Sequence, residues 1–438
     1  MLETIDDRET YLSDFKELAD RDNAPWLGRL RKKGIERFEK LGFPTMRHEE
    51  WRFTNLAPLT KIPFRLPEPG GPGQDMPSSV IFTGASSPRL VFINGHSAPG
   101  LSALKPLPKG VVVGGMAPWA EEYLGRHARY QDHAFTALNT AFCQQGAAIR
   151  IPDGVVLDAP IHLVFISAVP GEPTVSHPRV LIVVGANSRA AIVESYLGRD
   201  GDVYLTNAVT EVTAGENAVL DHYKLEQESR EAFHIATLQV LQSRGSKFSS
   251  HSIALGGSLV RNEINVVFDA EGGECTLNGL YMATGRQLID NHTVIDHAKP
   301  RCASHELYKG ILADQARGVF NGKIYVRQDA QKTDAKQTNQ TLLLSDDATI
   351  NTKPQLEIYA DDVKCTHGAT VGQLDEEALF YLRSRGISRS EARRILTFAF
   401  ANDIIGRIAI EPMRERLEEL LLASQESAGG QGNGRKME

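Results

Sequence analysis

The spacing of apolar residues along the chain changes near residue 146. Residues 25–41 carry apolar side chains at helical spacing, which predicts a helix, and a second helical stretch is predicted over about 121–143. From residue 146 to about 364 the apolar residues alternate with polar ones or form β-branched runs, and no amphipathic helix interrupts them. The pattern therefore predicts a mainly β protein with a helical N-terminal region.

The predicted strands recur in similar units along the chain. They cover 180–184, 190–196, 203–212, 218–225, 234–241, 264–268 and 323–326, with earlier strands at 90–94 and 111–113. Turn residues introduce the units at Gly185, Gly215, Gly245, Gly272, Arg301, Gln331 and Lys364, and the successive intervals are 30, 30, 27, 29, 30 and 33. Two hundred residues of strands also fit a sandwich pair or a propeller, but a propeller blade needs ~40–45 residues. The period favours a parallel β-helix, a β-solenoid whose coils stack on one another.

Helical patterns return after residue 372. Asp375 can cap a helix that stops at Gly386, Ser388 and Glu391 form a capping box for a second helix, and Pro412 opens a third. Because bare ends of a β-helix would pair with other strands, we expect these helices to close the stack. The predicted organisation is a helical N-terminal region at 1–65, a linker with short strands and a helix at 66–145, a β-helix core at 146–372, a helical C-terminal domain at 373–423 and a disordered tail at 424–438.

Composition and charge narrow the functional classes. The chain of 438 residues is 41% hydrophobic, and its 48 basic against 55 acidic residues give a formal charge of −7, which argues against a nucleic-acid binder. No run approaches the ~18–20 apolar residues of a membrane span, and the acidic N-terminus does not resemble a signal or transit peptide. We therefore expect a cytoplasmic protein.

The common catalytic motifs are missing. Gly322 and Lys323 are followed by Ile324 rather than by the Ser or Thr of a P-loop, and no G-x-S-x-G or H-E-x-x-H motif is present. Four cysteines without a C-x-x-C pair make neither a disulfide scaffold nor a closed zinc site, so most should be small buried residues. Ordinary nucleotide hydrolysis and serine or zinc hydrolysis are therefore unsupported by the sequence.

The densest chemistry lies in residues 359–375, where the strands give way to helices. Two carboxylates (Asp361, Asp362), a thiol (Cys365) and an imidazole (His367) fall within seven residues. Cys365 and His367 are two apart, so on a strand they face the same side, and an imidazolium beside the thiol would lower its pKa. Such a pair suits Fe, Zn or Cu(I). The alternative is a turn, with His367 hydrogen-bonded beside Gly368 and Cys365 as core filler.

Other candidates carry weaker chemistry. Cys275 and Cys302 are 27 apart and Cys365 is 63 further on, near one and two repeat lengths, which favours a ladder of small stacked residues over a sulfur relay. His222 and His251, 29 apart, can stack in the same way. Surface positions are expected for Asp290, Asp296 and His297. Residues 47–51 are expected to form a solvated helix end with one buried indole.

Several segments resemble signatures of the SufB/SufD family. Residues 47–56 read RHEEWRFTNL, residues 151–163 read IPDGVVLDAPIHL, residues 354–370 contain PQLEI and DDVKCTHGAT, and residues 379–386 read LFYLRSRG. The resemblance spans about residue 9 to 423. It implies a right-handed parallel β-helix with helical N- and C-terminal domains, acting as a non-catalytic scaffold in SUF iron–sulfur cluster assembly.

Details favour the SufD branch of this family. SufB-like chains usually read HEATT where residues 367–371 read HGATV, and they carry a cysteine that residues 337–342 lack. The resemblance implies a heterodimer with a SufB paralogue, a homodimer as an option for the isolated subunit, and docking of the SufC ABC-type ATPase, which supplies ATP hydrolysis, on the C-terminal helices. It also implies that His367 faces SufB's cysteine, helps build the nascent cluster and can ligate iron transiently, with Cys365 secondary. No tightly bound cofactor is expected, a transient Fe–S cluster at the SufB interface is allowed, and flavin binding is left open.

Two other classes fit a β-helix. Polysaccharide lyases and hydrolases place Asp and basic residues in a groove along the coils, but they are usually secreted and lack a C-terminal helical pair such as residues 375–423. A structural solenoid without a site is the third reading. Copurification of an ABC-type ATPase, set against a polysaccharide activity screen, separates these classes.

Overall fold

The computed structural model describes residues 8–19, 24–68, 87–104, 107–143, 146–168 and 171–430. Its helices are α1 (Glu9–Ala19), α2 (Pro25–Leu41), α3 (Ala57–Thr60), α4 (Ala134–Phe142), α5 (Glu376–Ser384), α6 (Arg389–Ile405) and α7 (Glu411–Gly430), with short 3-10 helices at Glu49–Trp51 and Pro118–Glu122. Its strands are β1 (Arg89–Ile93), β2 (His96–Ser97), β3 (Val112–Gly114), β4 (Gly146–Ile151), β5 (Ile161–Ser167), β6 (Thr174–Ser176), β7 (Arg179–Val184), β8 (Arg189–Gly198), β9 (Tyr204–Ala214), β10 (Val219–Gln227), β11 (Phe233–Gln242), β12 (Lys247–Ala254), β13 (Leu259–Phe268), β14 (Glu274–Ala283), β15 (Leu288–His297), β16 (Ala303–Leu312), β17 (Arg317–Val326), β18 (Asp334–Leu343), β19 (Thr349–Ile358) and β20 (Lys364–Gly372).

The strands form two ten-stranded sheets that face each other. Sheet I has the order β2-β1-β5-β8-β10-β12-β14-β16-β18-β20, and sheet II has the order β19-β17-β15-β13-β11-β9-β7-β4-β3, with β6 beside β9. From β8 onward, successive strands alternate between the sheets, and each pairs in parallel with the strand one coil away. Antiparallel pairing occurs at the other end, between β1 and β2 and between β3 and β4. The predicted parallel β-solenoid is confirmed.

The repeat units meet at one stacked corner. Its left-handed residues are Asn187, Asn217, Gly245, Gly272, Arg301 and Lys332, with φ between 54° and 74°. Backbone N–H groups link this corner from coil to coil, as from Asn217 to the Arg244 carbonyl at 2.8 Å and from Arg301 to the Gln331 carbonyl at 2.9 Å. The predicted unit starts from Gly185 to Gln331 lie at or within two residues of these positions. The predicted units therefore begin at this corner of each coil.

The helices cover the sides of the solenoid, and this corrects the predicted end closure. The outer face of sheet II packs on the N-terminal helices through Leu205, Phe233, Ile235, Leu259, Leu288 and Val319. The outer face of sheet I packs on α6 and α7 through Val193, Tyr223, Leu225, Ile253, Leu280, Ile311 and Leu342. Parallel sheets are usually apolar on both faces, and an exposed apolar face has more area to bury than the end of a stack. The described helices therefore flank the sheets and leave the last coil uncovered.

Local helix signals were predicted well, and the helix lengths less well. Asp375 accepts hydrogen bonds from the N–H groups of Glu377 and Ala378, Ser388 caps α6, and Gly386 adopts φ 85°. The helix predicted over 121–143 is shorter, since α4 begins at Ala134 after a 3-10 turn. The backbone of residues 424–430 continues α7 where a disordered tail was predicted, and 431–438 lie outside the described residues. Part of the predicted linker, residues 69–86, also lies outside them.

Candidate functional site at the open end of the solenoid

The last strand of each sheet lies at an uncovered edge. Among the described residues, β19 pairs only with β17 within sheet II, and β20 pairs only with β18 within sheet I. Most side chains of β20 are exposed, and Ile358, Tyr359 and Val371 are 39, 57 and 45% exposed. An edge of this kind offers unpaired backbone donors and acceptors together with apolar side chains, which is the surface that strand pairing needs. We call β19, β20 and the turn between them the open end.

His367 lies in the middle of β20 and is exposed. Its register neighbour in the coil below is Gln337 of β18, whose side chain lies in the solenoid interior. His367 makes no hydrogen bond to any described residue, and nothing approaches the adjacent Gly368 closely. The alternative of a turn beside Gly368 is wrong, because the strand continues through both residues. The imidazole is therefore free to meet whatever covers the open end.

Cys365 shares the side of β20 that carries His367 but has a different environment. Its neighbour in the coil below is Ala335, and it packs in a small apolar cluster with Ile324 and Val326. Burial, with help from Asp334, raises the pKa of the Cys365 thiol above its usual range. The expectation that a nearby imidazolium lowers this pKa is therefore wrong, and the thiol stays protonated near neutral pH.

The two carboxylates of the same segment do not join the site. Asp362 lies at the stacked corner, where its carbonyl accepts the Lys332 N–H at 2.7 Å and its side chain pairs with Lys332. Asp361 beside it is exposed. Within the described ranges, no group of three or more His, Cys, Asp and Glu side chains is placed to hold a metal ion. A metal at His367 would need ligands beyond those that the described residues place there.

Two interior residues beneath His367 were missed by the sequence analysis. Gln337 donates from Nε2 to Oε2 of Glu306 at 2.8 Å, and Glu306 is the register neighbour one further coil below. Burial raises the pKa of Glu306 to about 7. No motif marks either residue, but positions 306, 337 and 367 are spaced by 31 and 30, which is the repeat length itself. The spacing was therefore the available signal.

The cysteines and histidines of the interior align differently from the predictions. Cys275 and Cys365 share one column, with Ser304 and Ala335 between them, whereas Cys302 stands two residues ahead of that column. The column is a stack of small residues, as favoured from the sequence, and its sulfur atoms are not adjacent.

His222 and His251 do not stack on each other. His222 is in register with Ser250, whereas His251 is in register with Tyr223 and stacks on its ring at 5.1 Å between centroids. Because side chains alternate along a strand, this one-residue offset puts the two histidines on opposite faces of sheet I. His222 faces the interior and bonds to Glu194 at 3.0 Å.

Two positions expected at the surface are buried. His297 lies in the interior and bonds to Ser304 at 2.9 Å, and burial lowers its pKa to about 4. Asp290 lies on the outer face of sheet II under the N-terminal region, where it pairs with Arg261 and His292. Of the three, Asp296 is the one near the surface, paired with Arg327.

The segment at residues 47–56 connects the N-terminal region to sheet II through side-chain contacts. The Trp51 ring lies 3.9 Å from the Arg261 guanidinium, and Thr54 donates to Asp290 at 2.5 Å. Glu50 lies 3.3 Å from His292. The expectation of a solvated helix end is therefore correct for residues 47–50 only, which are exposed. Trp51 is held by its cation–π contact with Arg261, and Thr54 by its hydrogen bond to Asp290.

The aromatic residues of the C-terminal helices fall into two groups. Phe380 and Tyr381 of α5 are 73 and 57% exposed. Phe398 and Phe400 of α6 instead pack against sheet I, with the Lys309 ammonium 4.4 Å from the Phe400 ring. Two adjacent exposed aromatics on one helix form a candidate docking surface.

These features define a β-solenoid with helices along both sides, a bare last coil that carries an exposed histidine, and no membrane-length apolar helix among the described residues. Residues 7–163 match the family model for the SufBD protein N-terminal region, and residues 165–400 match the model for the SUF system FeS cluster assembly SufBD core domain. The chain belongs to the SufBD family of the SUF system for FeS cluster assembly, and the resemblance found in the sequence is confirmed.

Curated relatives agree with this assignment. A SufBD family iron-sulfur cluster assembly protein of Synechocystis is 36% identical over 395 residues, covering 86% of this chain and 87% of its own length. The iron-sulfur cluster assembly protein SufD of Escherichia coli is 32% identical over 386 residues, covering 87% and 89%. The protein of the same name from Bacillus subtilis is 26% identical over 433 residues, covering 94% and 97%.

Proposed function

We propose that this chain is a SufD-like, non-catalytic scaffold subunit that pairs with a SufB paralogue, docks a SufC-type ATPase and helps build nascent Fe–S clusters. The observation that carries the proposal is the exposed His367 on the uncovered last strand. The flanks of the solenoid are covered by the chain's own helices, so the open end is where a similar solenoid can join.

Pairing at the open end follows from backbone chemistry. Two solenoids that meet end to end satisfy the free N–H and C=O groups of β19 and β20 with the partner's own last strands. The exposed Ile358 and Val371 then become buried. A second copy of this chain offers the same edges, so a homodimer forms when the paralogue is absent.

The role of His367 is to hold iron or sulfide at this junction. A neutral imidazole ligates Fe(II), and an imidazolium stabilises a bound sulfide. Since the described residues place too few ligands around His367, a cysteine of the paralogue completes the site, and the cluster is transient cargo there. Cys365 is secondary, because its thiol stays protonated and partly buried.

The ATPase docks through α5 in this proposal. Phe380 and Tyr381 are large, rigid and exposed, which is typical of residues that dominate binding energy. ATP hydrolysis occurs in the partner, and motion reaches the junction through α5, which follows β20 by a few residues.

The test is cluster assembly on the purified complex with the paralogue and the ATPase. His367→Ala should leave the melting temperature and complex formation unchanged and abolish the visible absorption of the cluster. His305→Ala is the matched control, since His305 is also an exposed histidine of sheet I but lies two coils away. Cys365→Ser should lower the yield only slightly. Full cluster yield in His367→Ala, with rescue of cells that lack other assembly systems, would remove His367 from the mechanism.

A further inference from the structure

Glu306 differs from the other buried carboxyl groups in having no basic partner. Six Asp and Glu side chains of the described residues are buried: Glu194, Glu211, Glu226, Glu228, Asp290 and Glu306. Five lie within ion-pair distance of a basic side chain, namely Glu194 of His222, Glu211 of Arg179, Glu226 of Lys224, Glu228 of His234 and Asp290 of Arg261. A buried charge without a partner is costly, so Glu306 is the exception that calls for an explanation.

The groups that face Glu306 are uncharged near neutral pH. β14 presents Cys275 and Tyr281, β15 presents His297, and Tyr308 lies two residues away on β16 itself. Burial raises the pKa of Cys275, Tyr281 and Tyr308, and it lowers the pKa of His297. The interior positions of β17 and β18 hold no titratable side chain. Beyond β18, and two coils from Glu306, β20 presents His367. Desolvation of Glu306 is thus offset only by the neutral polar side chains of Thr293 and Gln337, of which Gln337 donates a hydrogen bond to it.

Gln337 connects Glu306 to the open end. Its Nε2 donates to Glu306, while its Oε1 is buried without a hydrogen-bond partner in the described part of the chain. Gly322 of β17 leaves the room for this amide, since a Cβ there would lie 2.2 Å from Nε2. A carboxylate can only accept and so holds the amide in this orientation. A carboxylic acid can donate to Oε1, which favours the reversed amide.

We propose that Glu306 and Gln337 are positioning residues for His367, with the proton on Glu306 deciding whether Gln337 offers an oxygen or an N–H to the ring in the coil above. An oxygen favours the tautomer with the facing ring nitrogen protonated, and an N–H favours the opposite tautomer. The effect arises when a partner covers the open end and removes the water that otherwise solvates the imidazole. This inference rests on the proposed function of His367.

The experiment is the pH profile of cluster assembly between pH 6 and 8.5 on the three-subunit complex. Glu306→Gln keeps the shape and the hydrogen bond but removes the proton, and it should flatten the limb of the profile near pH 7. Gln337→Met should flatten it in the same way, because the link is cut. Glu194→Gln, at another buried carboxyl, is the control and should keep the wild-type profile. In parallel, the His367 ring nitrogens are read by NMR after selective histidine labelling, and Glu306→Gln should change the tautomer ratio at pH 7.5 in the complex.

The outcomes separate this inference from the proposed function. If His367→Ala abolishes assembly while Glu306→Gln retains both the wild-type profile and the tautomer ratio, the positioning pair is refuted and the role of His367 stands. If His367→Ala assembles clusters normally, the proposed function fails. The ring signals alone then decide, and a tautomer ratio unchanged by Glu306→Gln overturns the inference.

Discussion

The inner coils and the terminal coils of the solenoid treat buried charge in opposite ways. In the inner coils, Glu226 lies 2.5 Å from Lys224 and 3.0 Å from His234, whose other nitrogen lies 2.7 Å from Glu228. Lys224 also donates to Asn262 at 2.6 Å, and a cavity of only about 20 Å3 remains beside this network. In the terminal coils Glu306 has no counter-charge and His367 is exposed. Buried charges that have a partner of opposite charge stabilise one structure, whereas a buried carboxyl without such a partner is a candidate for a functional site.

The largest effect should come from breaking the inner network. Lys224→Met leaves the buried carboxylate of Glu226 with a single basic neighbour. The free energy of unfolding should fall by about 3–5 kcal/mol, measured by urea denaturation at pH 7. Lys247→Met removes an exposed pair with Glu274 and should cost less than about 1 kcal/mol. Equal losses in the two variants would contradict the contrast between interior and surface.

Removing the charge of Glu306 should raise the free energy of unfolding, whereas removing Lys224 lowers it. Below pH 4.5 the carboxyl is protonated in both states, but between 4.5 and about 7 only the unfolded chain releases the proton. The unfolded state then binds fewer protons, so rising pH lowers stability through this window, by about 3 kcal/mol in all. Glu306→Gln should remove this fall, so that the variant is more stable than the wild type at pH 8. Parallel stability curves for both proteins from pH 5 to 8 would show that Glu306 titrates normally.

A charge at the open end should weaken association without affecting folding. Val371→Lys places an ammonium at an exposed position of β20, where pairing of two solenoids would bury it. Binding to the paralogue should weaken at least tenfold, which is about 1.4 kcal/mol, with an unchanged melting temperature. Val156→Lys is the control, since Val156 is 58% exposed and far from the open end in the coil order. Loss of binding in both variants, or in neither, would place the partner elsewhere.

The smallest effect should be at Cys365. Replacing a partly buried thiol by a hydroxyl of similar size should cost less than about 1 kcal/mol, because the cluster around it is small and the edge is open. Cys275→Ser, in the same column but fully buried, should cost more. Thermal unfolding of the two variants orders them, and a greater loss at Cys365 would mean that the terminal coil is packed as tightly as the inner coils.

Much of the fold was predictable because it depends on local interactions and on a nearly constant repeat length. The helix caps at Asp375 and Ser388 use bonds that span only two or three residues, and the corner turns recur at a nearly constant interval. The motif around His367 was recognisable for the same reason, since its residues are adjacent in the chain. Each of these features depends on neighbours that the sequence prints side by side.

What the sequence by itself determined was the period, the corners, the caps and the histidine, whereas only the tertiary structure decided which side chains face one another. The intervals between units are not constant, and a shift of one position moves a strand side chain to the other face. That is why His222 and His251 lie on opposite faces. The isolation of Glu306 depends on strands from several coils, and the side position of α6 and α7 depends on the whole outer face of sheet I. Both features depend on contacts between segments that are far apart in the sequence, and no local pattern of residues specifies such contacts.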